Sequence, residues 1–214
     1  SYKLNGVFLM QTSHTGVSRT RQVVAAVIGN ALEWYDFIVY GFLASIIARQ
    51  FFPSEDEYAS LLMALATFGV GFFMRPVGGI LLGMYSDRKG RKAAMQMIIR
   101  LMTVSIAMIA FAPSYAAIGM GAPLLIVVAR MLQGFATGGE YASATAFLVE
   151  SAPAHRKGLY GSWQLVGQCL AVFAGAAMVA LVTHLFNPAT LASWGWRITF
   201  VVGVLIGPVG LWIR

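Results

Sequence analysis

Two short segments hold the residues best suited to chemistry. The first reads Gly29-Asn-Ala-Leu-Glu-Trp-Tyr-Asp-Phe-Ile-Val-Tyr-Gly41. At about 100° per residue, Asn30, Glu33, Asp36 and Tyr40 fall on one helical stripe. A face of two carboxylates, an amide and a phenol needs water or polar partners. Two acids one turn apart repel, which suits reversible protonation. Asp36 is the expected main proton carrier and Glu33 a secondary one; a structural cluster pinning helices together is the competing role. The second segment reads Arg130-Met-Leu-Gln-Gly-Phe-Ala-Thr-Gly-Gly-Glu-Tyr141. Arg130, Gln133, Thr137 and Tyr141 share a stripe, with Glu140 at its edge. Gly134, Gly138 and Ala142 form a small-residue ridge that admits another helix closely. A guanidinium matches a carboxylate bidentately, so Arg130 is expected to pair with Asp36 or to bind an anionic ligand. Glu140 lies about 15 Å further along the helix, beyond reach of Arg130. It is a second proton station or a partner for Arg75.

The elements that position these residues are apolar. Of 214 residues, 58% are hydrophobic and 11% charged, against about 25% charged in ordinary soluble domains. A membrane-spanning helix needs about 20 mostly apolar residues. Six segments qualify: about Val23–Phe51, Tyr58–Tyr85, Ala93–Phe111, Pro123–Val149, Leu159–Leu185 and Trp194–Ile213. The expected fold class is therefore all-α, an integral membrane bundle over residues 21–214, with residues 1–20 as a disordered cytoplasmic lead-in. No signal peptide pattern opens the sequence.

Charge placement orients the spans. Lys3, Arg19 and Arg21 precede the first; Arg88, Lys89, Arg91 and Lys92 join the second to the third; Arg156 and Lys157 join the fourth to the fifth; Arg214 follows the sixth. The opposite connectors carry Glu55, Asp56 and Glu57. Basic residues gather on the cytoplasmic side, so the amino terminus is expected there. Trp194 and Trp196 are expected as amphipathic rings at the outer interface. The net charge of +7 is thus a topology signal, and nucleic acid is excluded as a partner. Charges within the spans are costly and usually face a cavity or a partner. Besides the two segments above, these are Arg75, structural or gating beside Pro76, and Arg100, close enough to the interface to snorkel.

The single Cys169 lies in an apolar run, so no disulfide framework or cysteine metal site is expected. His14, His155 and His184 lie in or near connectors. No metal ligand set, cofactor motif or nucleophile elbow is legible, and an enzyme is not expected. A channel would need a re-entrant loop or a charged ring, and neither is present. A scaffold has no need of the acidic stripe.

The loop Gly83-Met-Tyr-Ser-Asp87-Arg88-Lys89-Gly90-Arg91-Lys92 strongly resembles the Gly-xxx-Asp-Arg-x-Gly-Arg-Lys motif of the major facilitator superfamily. Glu150-Ser-Ala-Pro153-Ala-His-Arg156-Lys-Gly158 resembles its cytoplasmic Glu…Pro…Arg-x-Gly element, with Gly158 shifted by one residue. Within that superfamily, Glu33-Trp-Tyr-Asp36-Phe, Arg75-Pro-x-Gly-Gly79 and Gln133-Gly-Phe-x-x-Gly-Gly-Glu140 resemble the metabolite:proton symporter family. The resemblance runs from about Thr20 to Arg214 and implies the amino-terminal six-helix half of a transporter in a bacterial inner membrane. It implies proton-coupled symport of a small organic acid such as shikimate, 2-oxoglutarate or citrate, or of an osmolyte such as proline or betaine. The partners implied are the substrate, protons, the bilayer and a carboxyl-terminal half. Asp87, Arg88, Arg91, Glu150 and Arg156 are the implied inner gating charges, with Arg75 a further gating residue. Asp36, Glu33, Arg130 and Glu140 are the expected coupling residues. Arg130, Asn30, Tyr40, Gln133, Gln164 and Gln168 are the expected substrate-binding residues, with Trp163 shaping the pocket, and the first, second, fourth and fifth spans are expected to supply the cavity.

Overall fold

The computed structural model describes the backbone of residues 19–213. Residues 1–18 of the expected lead-in and Arg214 lie outside the described residues, as do the side chains of residues 19–23, 25, 26, 29, 92, 141–147, 150, 151, 206 and 209–213. The described residues are helical apart from short connectors, and among them there is no strand. In chain order the α-helices are α1 (Arg19–Phe42), α2 (Ala44–Phe51), α3 (Glu57–Lys89), α4 (Arg91–Ala110), α5 (Tyr115–Ile118), α6 (Gly121–Ser151), α7 (Lys157–Leu185), α8 (Pro188–Thr190) and α9 (Arg197–Ile213). Among the described residues, four helical stretches are long and apolar enough to cross a membrane: Glu57–Lys89, Ala93–Ala110, Gly121–Glu140 and Ala154–Leu185. The bent pair α1/α2 makes a fifth if taken as one span.

The first expected span is not one straight helix. It bends by 71° between α1 and α2. At Leu43 the backbone leaves the helical well (φ −96°, ψ 7°). The Leu43 carbonyl there accepts from both Ile46 and Ile47, each at 3.0 Å, so a tight turn replaces regular α bonding. The bend lays Ala44, Ile47, Ala48 and Phe51 of α2 into the core, a spacing that puts all four on one face. The turn into α3 is capped by Asp56, whose side chain accepts from the Tyr58 amide at 2.9 Å. A single residue, Gly90, joins α3 to α4 at φ +88°, a conformation that favours glycine.

The last expected span is shifted as well. A five-residue π-turn, Leu191–Gly195, precedes α9, which starts only at Arg197 and runs 17 residues. The turn carries Trp196 inward. Its ring is 0% exposed and packs edge-on against Phe51 and Phe200. Only Trp194 matches the exposed ring expected of both tryptophans. Arg197 fastens the start of α9 to the connector just after α4 by donating to the Ala112 carbonyl at 2.9 Å.

The helices pack as α3 along α6, α1 along α7 and α9, and α4 along α6 and α9. The α3–α6 seam is backbone on backbone. A Cβ on Gly134 would run into the Gly71 carbonyl, and one on Gly138 into that of Arg75. A Cβ on Gly78 would collide with the Phe135 carbonyl. The small-residue ridge read from the sequence thus serves α3, and this contact fixes where Arg75 and Arg130 stand. α7 turns Gln164, Gly167, Ala171, Gly175 and Val179 inward, with Gly167 against Val27 and Gly175 against Ile38 of α1. The outward residues of α3 and α7, among them Phe73, Ile80, Leu165 and Phe173, are exposed and apolar, as suits helices bordered by lipid or by further apolar protein.

Candidate functional site

The inward stripe of α1 forms as the periodicity predicts. Asn30, Glu33, Asp36 and Tyr40 are all buried. Four polar side chains inside an apolar bundle must find partners or destabilise it, and α3, α6 and α7 supply them.

Asp36 and Arg130 form the expected pair. Arg130 Nη1 donates to Asp36 Oδ2 at 2.6 Å, with side-chain exposures of 2% and 1%. Gln133 closes the cluster: its Nε2 donates to the same carboxylate oxygen at 2.7 Å, while its Oε1 accepts from Arg130 Nη1. Three groups from α1 and α6 are therefore locked around one oxygen. The guanidinium also lies 3.8 Å above the Tyr40 ring centroid, a cation–π contact strengthened by desolvation. One edge of the guanidinium, Nε and Nη2, is buried with no hydrogen-bond partner among the described residues. That edge has the fork geometry that receives a carboxylate.

A second pair stands one turn away. Arg75 Nη2 donates to Glu33 Oε1 at 2.9 Å. The sequence offered Glu140 or the membrane interface as the destination of Arg75; the ion pair found is with Glu33. The register of α3 on α6 turns Arg75 inward, and its guanidinium lies 4.3 Å above the Phe72 ring centroid. Glu140 is buried on α6.

Between the pairs lies a cavity of about 20 Å³, lined by Glu33, Phe68, Arg75, Arg130, Gln133 and Thr137 among others. All its lining comes from α1, α3 and α6. The fifth expected span, α7, lines instead a separate groove of about 420 Å³ with α1, whose walls include Trp163 and Arg156. Gln164 is buried and Gln168 half-buried; neither lines the smaller cavity. The Gln164 backbone carbonyl accepts from Asn30 Nδ2 at 3.2 Å. The Tyr40 hydroxyl donates to the Ala64 carbonyl at 3.0 Å, while its ring lies under the Arg130 guanidinium.

An aromatic group was missed by the sequence reading. Phe68 packs edge-on to Phe37 at 4.3 Å between centroids and stacks on Tyr40 at 5.4 Å. It also meets Phe72 edge-on, so the four rings form a platform reaching from one arginine to the other. The available signal was spacing: Phe37 and Tyr40 are three apart, and Phe68 and Phe72 four apart. Of the gating residues, Asp87, Arg88, Arg91 and Arg156 are exposed near the ends of α3, α4 and α7. Glu150 lies outside the described residues as a side chain. Arg100 is exposed on α4.

Long apolar helices with charge pairs sealed among them define a multi-pass membrane protein. This chain belongs to the sugar (and other) transporter family, whose pattern matches residues 22–213. The citrate-proton symporter of Klebsiella pneumoniae is 42% identical over 193 residues, 90% of this chain and 44% of that protein. The proline/betaine transporter of Escherichia coli (strain K12) is 40% identical over 194 residues, 91% of this chain and 39% of that one. The shikimate transporter of the same strain is 38% identical over 200 residues, 92% and 46% respectively. The major facilitator superfamily proton:xylose symporter XylE, bound to 6-bromo-6-deoxy-D-glucose, shares the fold with a TM-score of 0.81 at 19% identity. That match covers 91% of this chain and 43% of the other. The chain thus spans less than half the length of the relatives it matches.

Proposed function

We propose that this chain is the amino-terminal six-helix half of a proton-coupled symporter for a small organic acid, working by alternating access. The six spans are α1 with α2, α3, α4, α6, α7 and α9. They form one domain over residues 21–214, preceded by a cytoplasmic lead-in, in a bacterial inner membrane. A carboxyl-terminal half completes the cavity and packs on the exposed apolar faces of α3 and α7. The protein is a carrier, not an enzyme, and needs no metal or cofactor.

One observation carries the reading: a buried carboxylate holds one end of a buried guanidinium whose other edge has no hydrogen-bond partner among the described residues. Protonating Asp36 removes the charge that restrains Arg130. Arg130 then needs an anion, because an unpaired charge inside the bundle is strongly destabilising. A substrate carboxylate meets that need through the Nε–Nη2 edge. Gln133 bridges the exchange, since it bonds both partners. Proton and substrate therefore bind together or not at all. Glu33 and Glu140 serve as secondary acids. Tyr40 holds Arg130 from the α3–α6 side, and Asn30, Gln164 and Gln168 shape the path from the α1–α7 side. Asp87, Arg88, Arg91, Glu150 and Arg156 latch the cytoplasmic face as the halves rock, and Arg75 gates the approach to the cavity. The relatives that carry citrate or shikimate by name agree with an organic acid.

The test uses the full-length transporter in proteoliposomes with an inward proton gradient and labelled organic acids and osmolytes. The expected result is gradient-driven uptake of an acid that Asp36→Asn abolishes while counterflow exchange persists. Uptake indifferent to both the gradient and Asp36 would overturn the reading.

A further inference from the structure

The charged groups of the site come in two like units. Each consists of an acid from α1, an arginine from a neighbouring helix and an aromatic ring under the guanidinium. The units are Asp36–Arg130 over Tyr40 and Glu33–Arg75 over Phe72. The acids are three residues apart, and both arginines line the same cavity. Its charged lining consists of Glu33 from α1, Arg75 from α3 and Arg130 from α6; Asp36 stands behind Arg130, and α7 and α9 contribute no lining residue. The space of about 20 Å³ admits about one water. A carboxylate therefore enters by parting an ion pair, not by filling a gap.

We infer that Glu33–Arg75 is a second proton-for-carboxylate exchange unit, so that the transporter takes a substrate with two carboxylates together with two protons. This rests on the symport reading above and extends it. The argument is charge balance in a medium where unbalanced charge is costly. With both acids ionised, the two negative and two positive side chains cancel. Protonating Asp36 leaves one positive charge at Arg130, which one carboxylate neutralises. Protonating Glu33 does the same at Arg75. A dicarboxylate bridging both arginines is balanced only when both acids carry protons. Arg75 is 32% exposed and Arg130 2%, so the incoming substrate meets Arg75 first and Arg130 last. The loaded site then gains two protons and two negative charges, and transport of the dianion moves no net charge.

The experiment measures accumulation of a labelled dicarboxylate at equilibrium in proteoliposomes of the full-length transporter, with pH gradient and membrane potential set independently. Accumulation of the dianion is expected to rise about 100-fold per pH unit and to ignore the potential, since each proton contributes about tenfold. In Glu33→Gln, Arg75 keeps its charge permanently, so the rise falls to about tenfold per pH unit. The same variant now carries one net negative charge inward, and an inside-negative potential lowers its accumulation. A wild-type slope of one proton, unchanged in Glu33→Gln, overturns the second unit and leaves single-proton symport standing. A slope of zero overturns both. Arg75→Lys provides an arm that keeps the charge and removes the fork. It is expected to retain the two-proton slope and to lose about tenfold of the preference for the dicarboxylate over its half-amide. An unchanged preference would overturn the role of Arg75 as a carboxylate seat.

Discussion

The two ion pairs hang from neighbouring turns of α1 yet sit at different depths. Asp36–Arg130 is sealed, with a glutamine bonded to both partners. Glu33–Arg75 has one partner a third exposed and no such bracket in the hydrogen bonds found for it. A sealed pair binds its members tightly because neither has an alternative: removing one strands the other in a low-dielectric interior. In the half-open pair only Arg75 can turn to water, since the Glu33 side chain is 6% exposed. The first arrangement suits strict coupling, the second suits first contact with an incoming ligand.

The largest expected effect is therefore on the sealed pair. Arg130→Ala should cost about 3–5 kcal/mol of stability, read as a drop in unfolding midpoint in detergent. Asp36→Asn with Arg130→Gln, which removes both charges, should recover most of that loss. Next comes the seam that sets both pairs. Gly134→Ala places a methyl against the Gly71 carbonyl and should cost about 1–3 kcal/mol. Double-mutant cycles in that background should show both Asp36–Arg130 and Glu33–Arg75 weakened. Weakening of only one would mean that α3 and α6 do not set the arginines jointly. A smaller effect belongs to Arg75→Ala, at about 1 kcal/mol, and the smallest to Arg49→Ala, near zero, because the Arg49–Glu57 pair is 71% and 78% exposed. Equal losses for Arg75→Ala and Arg130→Ala would dissolve the contrast in depth.

Part of this arrangement is legible in the amino-acid sequence. The α1 stripe follows from helical periodicity alone, and the Asp36–Arg130 pair from matching depths in two spans. The Glu33–Arg75 pair is not legible there, because it depends on how α3 is rotated against α6. That rotation is fixed by backbone contacts at Gly71, Gly78, Gly134 and Gly138, which sequence shows only as small residues. The bend at Leu43 has no proline to announce it. Trp196 looks like an interface ring because a π-turn, which shifts every following side chain, has no composition of its own. The aromatic platform is hidden for the opposite reason: phenylalanines are so common in such spans that none stands out.

The seam between α3 and α6 also constrains motion. Packed helices usually slide by letting intervening side chains change rotamer. Here main chain rests on main chain where Gly71, Gly78, Gly134 and Gly138 meet the facing helix, and at those levels no side chain stands between the helices to act as a bearing. In this packing the two helices form a single lever, and Arg75 and Arg130 sit on it like two teeth cut on one key. A shift that leaves this seam intact moves both teeth together.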